Sequence, residues 1–241
     1  AEDEWIARAM PETFAAYYLR NVHGPIAYRE RMKNIRGLLQ EAQEVENFTG
    51  MRILEGNSHA LSRAASTARY APNISRYYGL YVMAEMLRLR IGDQAYFRAI
   101  DTVAGELAGG LISTDQLRKA FEVSSETDLA DFFDYWIHGG FIPRLHLDYR
   151  VEDAGDGMVR VKGCYQSDVP FGTIHVHTRM RSNDESPMLE RLIEVKDGFG
   201  PFEWLVPSTD PILEVDPWGF ILAYERTVEE VTKTPCEELV K

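Results

Sequence analysis

Residues 128–151 read DLADFFDYWIHGGFIPRLHLDYRV, and the hydrophobic pattern changes character within this stretch. Up to Gly139 the apolar residues recur every three or four positions, which is typical of an amphipathic helix. From Leu145 onward apolar and polar residues alternate, which is typical of a half-buried strand. The switch near Pro143 therefore predicts an α+β chain, with an all-helical subdomain over residues 1–142 followed by a β-sheet domain over residues 143–227.

The first part of the chain predicts six helices, which are separated by glycines and by polar capping residues. The break between the first two helices is His23-Gly24-Pro25, and Ser113 is the expected cap of the fifth. Residues 47–73 have the least regular pattern, and we expect a loop with a short helix there. The predicted helices cover residues 2–22, 26–45, 75–91, 93–107, 113–121 and 128–138.

The second part predicts about seven short strands, and turns rich in Gly, Asp and Ser separate them. Short strands at this spacing are typical of an Ig-like antiparallel β-sandwich, which is our prediction for residues 143–227. Residues 228–241 form an acidic tail, which we expect to be frayed or helical. The predicted strands cover residues 145–151, 158–166, 173–180, 189–195, 202–206, 212–215 and 220–224.

The composition argues against two classes of partner. A net charge of −12 over 241 residues argues against nucleic acid, which attracts basic surfaces. Every apolar run is shorter than the roughly 18 residues of a membrane span, and no signal peptide is visible, so we expect a soluble chain of unknown compartment. Cys164 and Cys236 have no metal-site spacing, and we expect a buried Cys164 and an exposed Cys236, with a disulfide as the less favoured alternative.

One carboxylate lies in an unusual setting near the start of the chain. Residues 5–18 read WIARAMPETFAAYY, and Glu12 is followed by six residues without a charge. A carboxylate in such surroundings needs a cation, a metal ion or hydrogen-bond donors. The simplest partner is Arg8, which lies one helical turn earlier.

The segment around Glu12 also resembles a known motif. Residues 11–17, PETFAAY, are similar to the Asn-Glu-Gly-Phe-Ala-x-Tyr motif of the gluzincin metallopeptidases, the M1 aminopeptidase-like clan. In that family the Glu is the third zinc ligand, so the resemblance implies that Glu12 occupies that position. Further segments resemble the same family in order and spacing, and they are YGLYVMAEML at 78–87, IGD at 91–93, TDQL at 114–117, the Phe-Phe-x-x-Trp helix at 132–136 and VDP at 215–217.

The family resemblance implies zinc-dependent cleavage of peptide bonds, but the chain lacks part of the required machinery. The family uses a His-Glu-x-x-His helix, whose histidines bind zinc and whose Glu activates water. The six histidines here include no such pair, and the family spacing, counted back from Glu12, places that helix upstream of residue 1. We therefore expect this chain to be a fragment that needs the upstream part of its parent, with no zinc and no peptidase activity of its own.

Two candidate catalytic residues follow from the same resemblance. The tyrosine that stabilises the oxyanion in the family corresponds to Arg76, and Tyr77 is its neighbour. Tyr77 is therefore a candidate oxyanion donor, and Arg76 is an alternative that would bind an anion. The main competing prediction is a degenerate peptidase that binds a peptide or protein as a non-catalytic scaffold.

Two other groups of polar residues complete the candidates. His175 and His177 lie two apart in a predicted strand, so they share a face that could bind an adventitious metal ion, although a solvated strand face is the favoured interpretation. Asp148 and Asp153 are expected to be turn or edge charges without an evident partner.

Overall fold

The computed structural model describes residues 4–49, 71–107, 110, 112–139, 142–169, 172–182, 189–207, 211–223 and 225–236. The chain divides into two compact units, Ala1–Phe141 and Ile142–Lys241. The described elements of the first unit are helices and those of the second are strands, which confirms the α+β class. The irregular segment predicted at 47–73 lies mostly outside the described residues.

The first helix, α1, spans Glu4–Thr49 and is broken at Gly24, where φ is 86° and ψ is 174°. Glycine adopts such a positive φ without the steric cost that a side chain would add. Pro25 follows directly and has no backbone N–H to donate, so the helical hydrogen-bond pattern is interrupted at the same point. The break predicted from these residues is therefore confirmed, although the two predicted helices run on as one kinked element.

The remaining helices of the first unit follow the predicted order. The third predicted helix begins as α2, Ala71–Tyr81, continues as a π-helical segment, Val82–Leu87, and ends as α3, Arg88–Ile91. The later elements are α4, Asp93–Leu107, α5, Thr114–Ser125, and α6, Ala130–Phe133, which continues as a second π-helical segment, Asp134–Gly139. A three-four spacing of apolar residues does not distinguish an α-helix from a short π-helical insertion, so the sequence did not indicate these segments.

The start of α5 shows the predicted cap in full. The backbone N–H of Gln116 donates to Ser113 Oγ at 3.2 Å, and the backbone N–H of Ser113 donates to Gln116 Oε1 at 2.8 Å. This reciprocal pair is a capping box, and it satisfies two donors that the start of a helix leaves without partners.

Helices α1 and α2 approach each other closely at a glycine. A Cβ atom at Gly79 would lie 2.7 Å from Ala9 Cβ and 3.2 Å from Trp5 Cε3, so only glycine fits without movement. Trp5 is almost fully buried, and its indole N–H donates to Thr114 Oγ1 at 3.0 Å. Arg76 lies one helical turn before Gly79 on α2, and its side chain reaches Glu12 of α1.

The second unit contains a seven-stranded sheet in the order β6-β3-β4-β5-β2-β1-β7. All of its strand pairs are antiparallel except β1 with β7, which are parallel. The structure thus confirms that the strands of the second unit form a mainly antiparallel sheet. The strands are β1, Arg144–Gly155, β2, Met158–Ser167, β3, Thr173–Ser182, β4, Leu189–Lys196, β5, Phe199–Val206, β6, Pro211–Val215, and β7, Glu225–Glu230.

The prediction of the last strand is wrong by several residues, because β7 begins at Glu225 and not at Phe220. Asp216 explains the difference. Its carboxylate accepts hydrogen bonds from the backbone N–H groups of Phe220 at 2.6 Å and Ile221 at 3.2 Å, and from Arg226 at 2.8 Å. These amides are held by a side chain and are not available to a strand ladder.

The two cysteines form a disulfide, which contradicts the expectation that they are unpaired. Cys164 and Cys236 have Cα atoms 5.6 Å apart, and both side chains are buried. Cys236 was expected to be exposed because it lies in a polar segment. The fold brings that segment onto β2, and a sequence separation of 72 residues gives no hint of this pairing.

In the part of the chain that the structure describes, no helix combines the length and the apolar character that crossing a membrane requires.

Candidate functional site

Glu12 lies on α1 and is held by two arginines. Its Oε2 atom accepts a hydrogen bond from Arg31 Nη2 at 2.6 Å, and its Oε1 atom lies 3.4 Å from Arg76 Nη1. The Glu12 side chain is 18% exposed, so these charges interact with limited screening by water. Arg31 lies beyond the Gly24 kink and Arg76 lies on another helix, so neither partner is visible in a local pattern. The pairing with Arg8 that the helix spacing suggests stays a prediction.

Arg76 connects Glu12 to Tyr77. Arg76 Nη2 donates to Tyr77 Oη at 2.9 Å, and its guanidinium carbon lies 4.7 Å from the centroid of the Tyr77 ring. Since arginine can only donate, this bond leaves the phenolic proton of Tyr77 available for another acceptor. The structure therefore brings together the three residues that the sequence singled out, Glu12, Arg76 and Tyr77, together with Arg31.

The two oxygens of Glu12 differ in what they could bind. Oε2 makes a short, charge-assisted bond to Arg31, whereas the contact of Oε1 with Arg76 is longer than a normal hydrogen bond. Carboxylates that bind metal ions are commonly fixed by a hydrogen bond on their other oxygen. Oε1 is thus the atom that fits a metal ion, although the guanidinium of Arg76 would repel a cation placed there.

A buried polar cluster lies elsewhere in the helical unit, and sequence reasoning did not identify it. Glu85 is 3% exposed within the π-helical segment, and its Oε2 lies 3.5 Å from Arg88 Nη2. The hydroxyl of Tyr17 donates to the carbonyl of Ala84 at 2.9 Å. Burial raises the pKa of Tyr17, Tyr28 and Tyr96 above the ordinary value for tyrosine.

These phenols therefore stay protonated at neutral pH, and the cluster is better suited to fixing the helices than to proton transfer. The signal in the sequence was the single carboxylate in the apolar run VMAEML, with an arginine three residues later.

The histidine pair in β3 is less exposed than predicted. His177 is 9% exposed, its Nε2 lies 3.4 Å from Glu190, and its ring packs against Phe220. The His175 side chain is 13% exposed, with Nε2 3.9 Å from Glu194. The expectation of a solvated strand face is therefore wrong, because a cross-strand glutamate lies near each ring and Phe220 also packs against His177.

The structure gathers a different set of possible metal ligands in the second unit. Within the described ranges, one group of three such side chains has ligand atoms within 4.8 Å of one another, and it consists of His146, Asp148 and Glu229. Asp148 is 7% exposed and accepts hydrogen bonds from two neighbours, so the expectation of an edge charge without a partner is wrong. The sequence signal was HLD at 146–148, two polar side chains on one face of a strand, and the third member lies about 80 residues later.

A cavity of about 350 Å³ lies beside this group and shares His146 with it. This volume is at the small end of the range for ligand pockets. Its lining is mostly charged and polar and comes from β1, β7 and the end of β2, namely Arg144, Leu145, His146, Gln166, Ser167, Asp168, Glu225 and Thr227.

The comparison with known proteins gives a fold but not a family. No family model matches the chain, and no curated protein does. Among solved structures, the chain is similar to Legionella pneumophila aminopeptidase A, determined in complex with aspartic acid, with a TM-score of 0.62 over 96% of this chain at 14% identity. The chain spans 24% of the length of that structure. At this identity the likeness shows a shared fold.

Proposed function

We propose that the chain is the C-terminal part of an M1-like zinc metallopeptidase, which in its intact parent hydrolyses peptide bonds at the amino end of a substrate. The observation that carries the proposal is the placement of Glu12. Its motif resembles that of a zinc-ligand helix, and one of its oxygens is fixed by Arg31 while the other has only a long contact. The fold shared with an aminopeptidase over 96% of the chain supports the same relation.

In this proposal each residue of the chain has one task. Glu12 would bind zinc through Oε1, and Arg31 would orient its carboxylate. When bound, the zinc ion would polarise the carbonyl group of the substrate and activate a water molecule. Tyr77 would donate a hydrogen bond from its phenol to the substrate oxygen on which negative charge develops, and Arg76 would orient the phenol. The two histidines and the general base belong to the upstream part of the parent, so this chain alone would bind no zinc at Glu12 and cleave no peptide.

An apolar strip on α1 supports the presence of a further partner. Four large apolar side chains of this helix are exposed, at 38% for Phe14, 67% for Tyr18, 54% for Val22 and 73% for Ile26. Phe14, Tyr18 and Val22 lie four residues apart on the helical segment that carries Glu12, and Ile26 follows the break at Gly24. An exposed apolar strip of this kind is typical of a contact surface, and the upstream part of the parent is the partner we propose for it.

A second candidate function is a degenerate peptidase that holds a peptide or protein without cleaving it. It is favoured by the arginine at the position of the family's oxyanion tyrosine and by the two guanidinium groups on Glu12. Two fixed positive charges oppose the binding of a divalent cation at the same carboxylate. Under this alternative the Glu12 cluster stabilises the contact of α1 and α2 and has no catalytic role.

The experiment that separates the two candidates uses the intact parent protein. We expect elemental analysis to find one zinc ion per chain that depends on Glu12, and we expect chelator-sensitive hydrolysis of aminoacyl amides. Glu12→Gln should lower both, because a neutral amide is a poor zinc ligand. Glu30→Gln is the matched control, since Glu30 is an exposed glutamate on the same helix.

A parent without zinc and without hydrolysis, but with peptide binding that survives Glu12→Gln, would establish the scaffold function instead. Equal zinc content in the two variants would refute the role of Glu12.

The finer architecture is part of the proposal. We propose that residues 1–142 are the helical C-terminal part of a catalytic domain, that residues 143–227 form an Ig-like β-sandwich, and that residues 228–241 are a tail whose first three residues continue strand β7. The support is the sequence pattern, together with the antiparallel-rich sheet.

A further inference from the structure

We infer that the second unit carries a divalent transition-metal site at the edge of its sheet, in which His146, Asp148 and Glu229 bind one Zn²⁺-class ion. The site uses no residue of the Glu12 cluster, so it does not depend on the proposed peptidase function.

The topology of the sheet places the three side chains on one face. Strands β1 and β7 are parallel and in register, so that Asp148 pairs with Glu229 and His146 pairs with Thr227. Residues two apart on a strand point to the same face, and so do residues that pair directly across strands. Three oxygen or nitrogen donors consequently lie within 4.8 Å of one another.

The histidine and the aspartate are already oriented by outer partners. His146 Nδ1 is hydrogen-bonded to Thr227 Oγ1, and Asp148 Oδ2 accepts from Gln166 Nε2 at 2.7 Å. The other two atoms, His146 Nε2 and Asp148 Oδ1, are hydrogen-bonded to each other at 2.9 Å, and a bound ion would replace this contact. Metal-binding imidazoles and carboxylates are typically held in this way, with one atom on the metal and the other on a protein group.

The charge of the cluster favours a cation. Asp148 is 7% exposed, and its partners among the described residues are a histidine and an amide, neither of which is permanently positive. A buried carboxylate is costly unless its charge is compensated. Two carboxylates, a neutral imidazole and one divalent ion together carry no net charge, so the ion compensates Asp148 and Glu229 at the same time.

The geometry and the donor types favour zinc over magnesium or calcium. Zinc bonds of about 2.0–2.2 Å in a tetrahedron separate neighbouring ligand atoms by roughly 3.3–3.5 Å. The gap between Nε2 and Oδ1 must therefore widen by about half an ångström, and the exposed Glu229 can reach the ion by a change of rotamer. An imidazole donor suits transition metals, whereas Mg²⁺ and Ca²⁺ prefer sets of oxygen atoms.

The ion also has a route to the site. The cavity of about 350 Å³ is lined by His146, a residue of the cluster, and by Thr227, the hydrogen-bond partner of His146. It gives access from solvent and room for a water molecule as the fourth ligand, which is one of the features expected of a real metal site.

The test is a titration of this chain, stripped of metal with a chelator, with Zn²⁺ and with Mg²⁺. We expect one bound Zn²⁺, a rise in the melting temperature on adding Zn²⁺, and little response to Mg²⁺. Asp148→Asn and Glu229→Gln should each weaken Zn²⁺ binding at least about tenfold. His175→Gln, which removes a histidine of the same sheet that lies outside the cluster, should leave the affinity unchanged.

Glu229 is exposed, so its variant should keep the fold and decides the test if Asp148→Asn unfolds. Three results would overturn the inference: no Zn²⁺ binding by the unsubstituted chain, an unchanged affinity in Glu229→Gln, or a preference for Mg²⁺. Loss of the bound ion in Glu12→Gln with retention in Glu229→Gln would place it at the other cluster and would also overturn the inference.

Discussion

Removing the disulfide should destabilise the second unit more than any single surface change. The bridge joins Cys164 on β2 to Cys236 and closes a loop of 72 residues. In the chain-entropy treatment, closing a loop of this length lowers the conformational entropy of the unfolded state and so stabilises the folded state by roughly 4.4 kcal/mol at 25 °C. Measured stabilisation by disulfides is typically about 2–4 kcal/mol. We therefore expect Cys164→Ala with Cys236→Ala to lower the free energy of unfolding of this unit by about 2–4 kcal/mol.

The assay must resolve the two units, because the chain does not have to unfold in one step. Hydrogen exchange followed by mass spectrometry reports on β2 and β7 separately from the helices. Protection should fall in peptides of the second unit and remain in α1 and α2. Reduction of the unsubstituted chain with a thiol should reproduce the loss, which separates the effect of the bond from that of the lost sulfur atoms.

Equal unfolding free energies for the oxidised chain and the double variant would refute the reasoning. They would mean that the 72-residue loop is already closed in the unfolded state or that Cys236 is not bonded to Cys164 in solution.

Three further predictions concern the helical unit. Gly79→Ala should lower the free energy of unfolding by about 1–3 kcal/mol in a denaturant titration, because the new Cβ would lie 2.7 Å from Ala9 Cβ. It should also loosen the contact between Glu12 and Arg76. Gly37→Ala is the control and should be neutral or stabilising, because the space around Gly37 is open. Ser113→Ala should lower stability by about 1 kcal/mol through loss of the capping box, as thermal unfolding would show, and an unchanged melting temperature would contradict it. Burial raises the pKa of Tyr96, so the folded state keeps a proton that the unfolded state loses above about pH 10. The contribution of Tyr96 to the free energy of unfolding is therefore complete below that pH and falls above it by about 1.4 kcal/mol per pH unit. Tyr96→Phe should remove that part of the slope in unfolding titrations between pH 9 and 11, and an unaltered slope would count against the burial argument.

Much of the fold was predictable because it depends on local patterns. The breaks at Gly24 and before Asp93, the cap at Ser113 and the first six strands follow from short-range residue preferences and periodicity. The π-helical segment Val82–Leu87 and the true position of β7 were not predictable in this way. Both depend on hydrogen bonds whose partners cannot be identified from the spacing of apolar residues.

The candidate site was predictable in part. The unusual setting of Glu12 indicated that it needs partners, and the resemblance indicated Arg76 and Tyr77 as neighbours in the fold. The short bond from Arg31 was not predictable, because Arg31 lies beyond the kink at Gly24. The direction in which the chain leaves that kink decides which side chain meets the carboxylate.

The sequence by itself determined the α+β fold class, the change from helices to strands near Pro143 and the need of Glu12 for a compensating charge. Each of these depends on residues that are close together in the chain. Only the tertiary structure decided which residues compensate that charge, that Cys164 pairs with Cys236, and that His146, Asp148 and Glu229 meet on one face of the sheet. These contacts join residues about 20 to 80 positions apart, and their formation depends on the register of strands and the packing of helices, which no local pattern specifies.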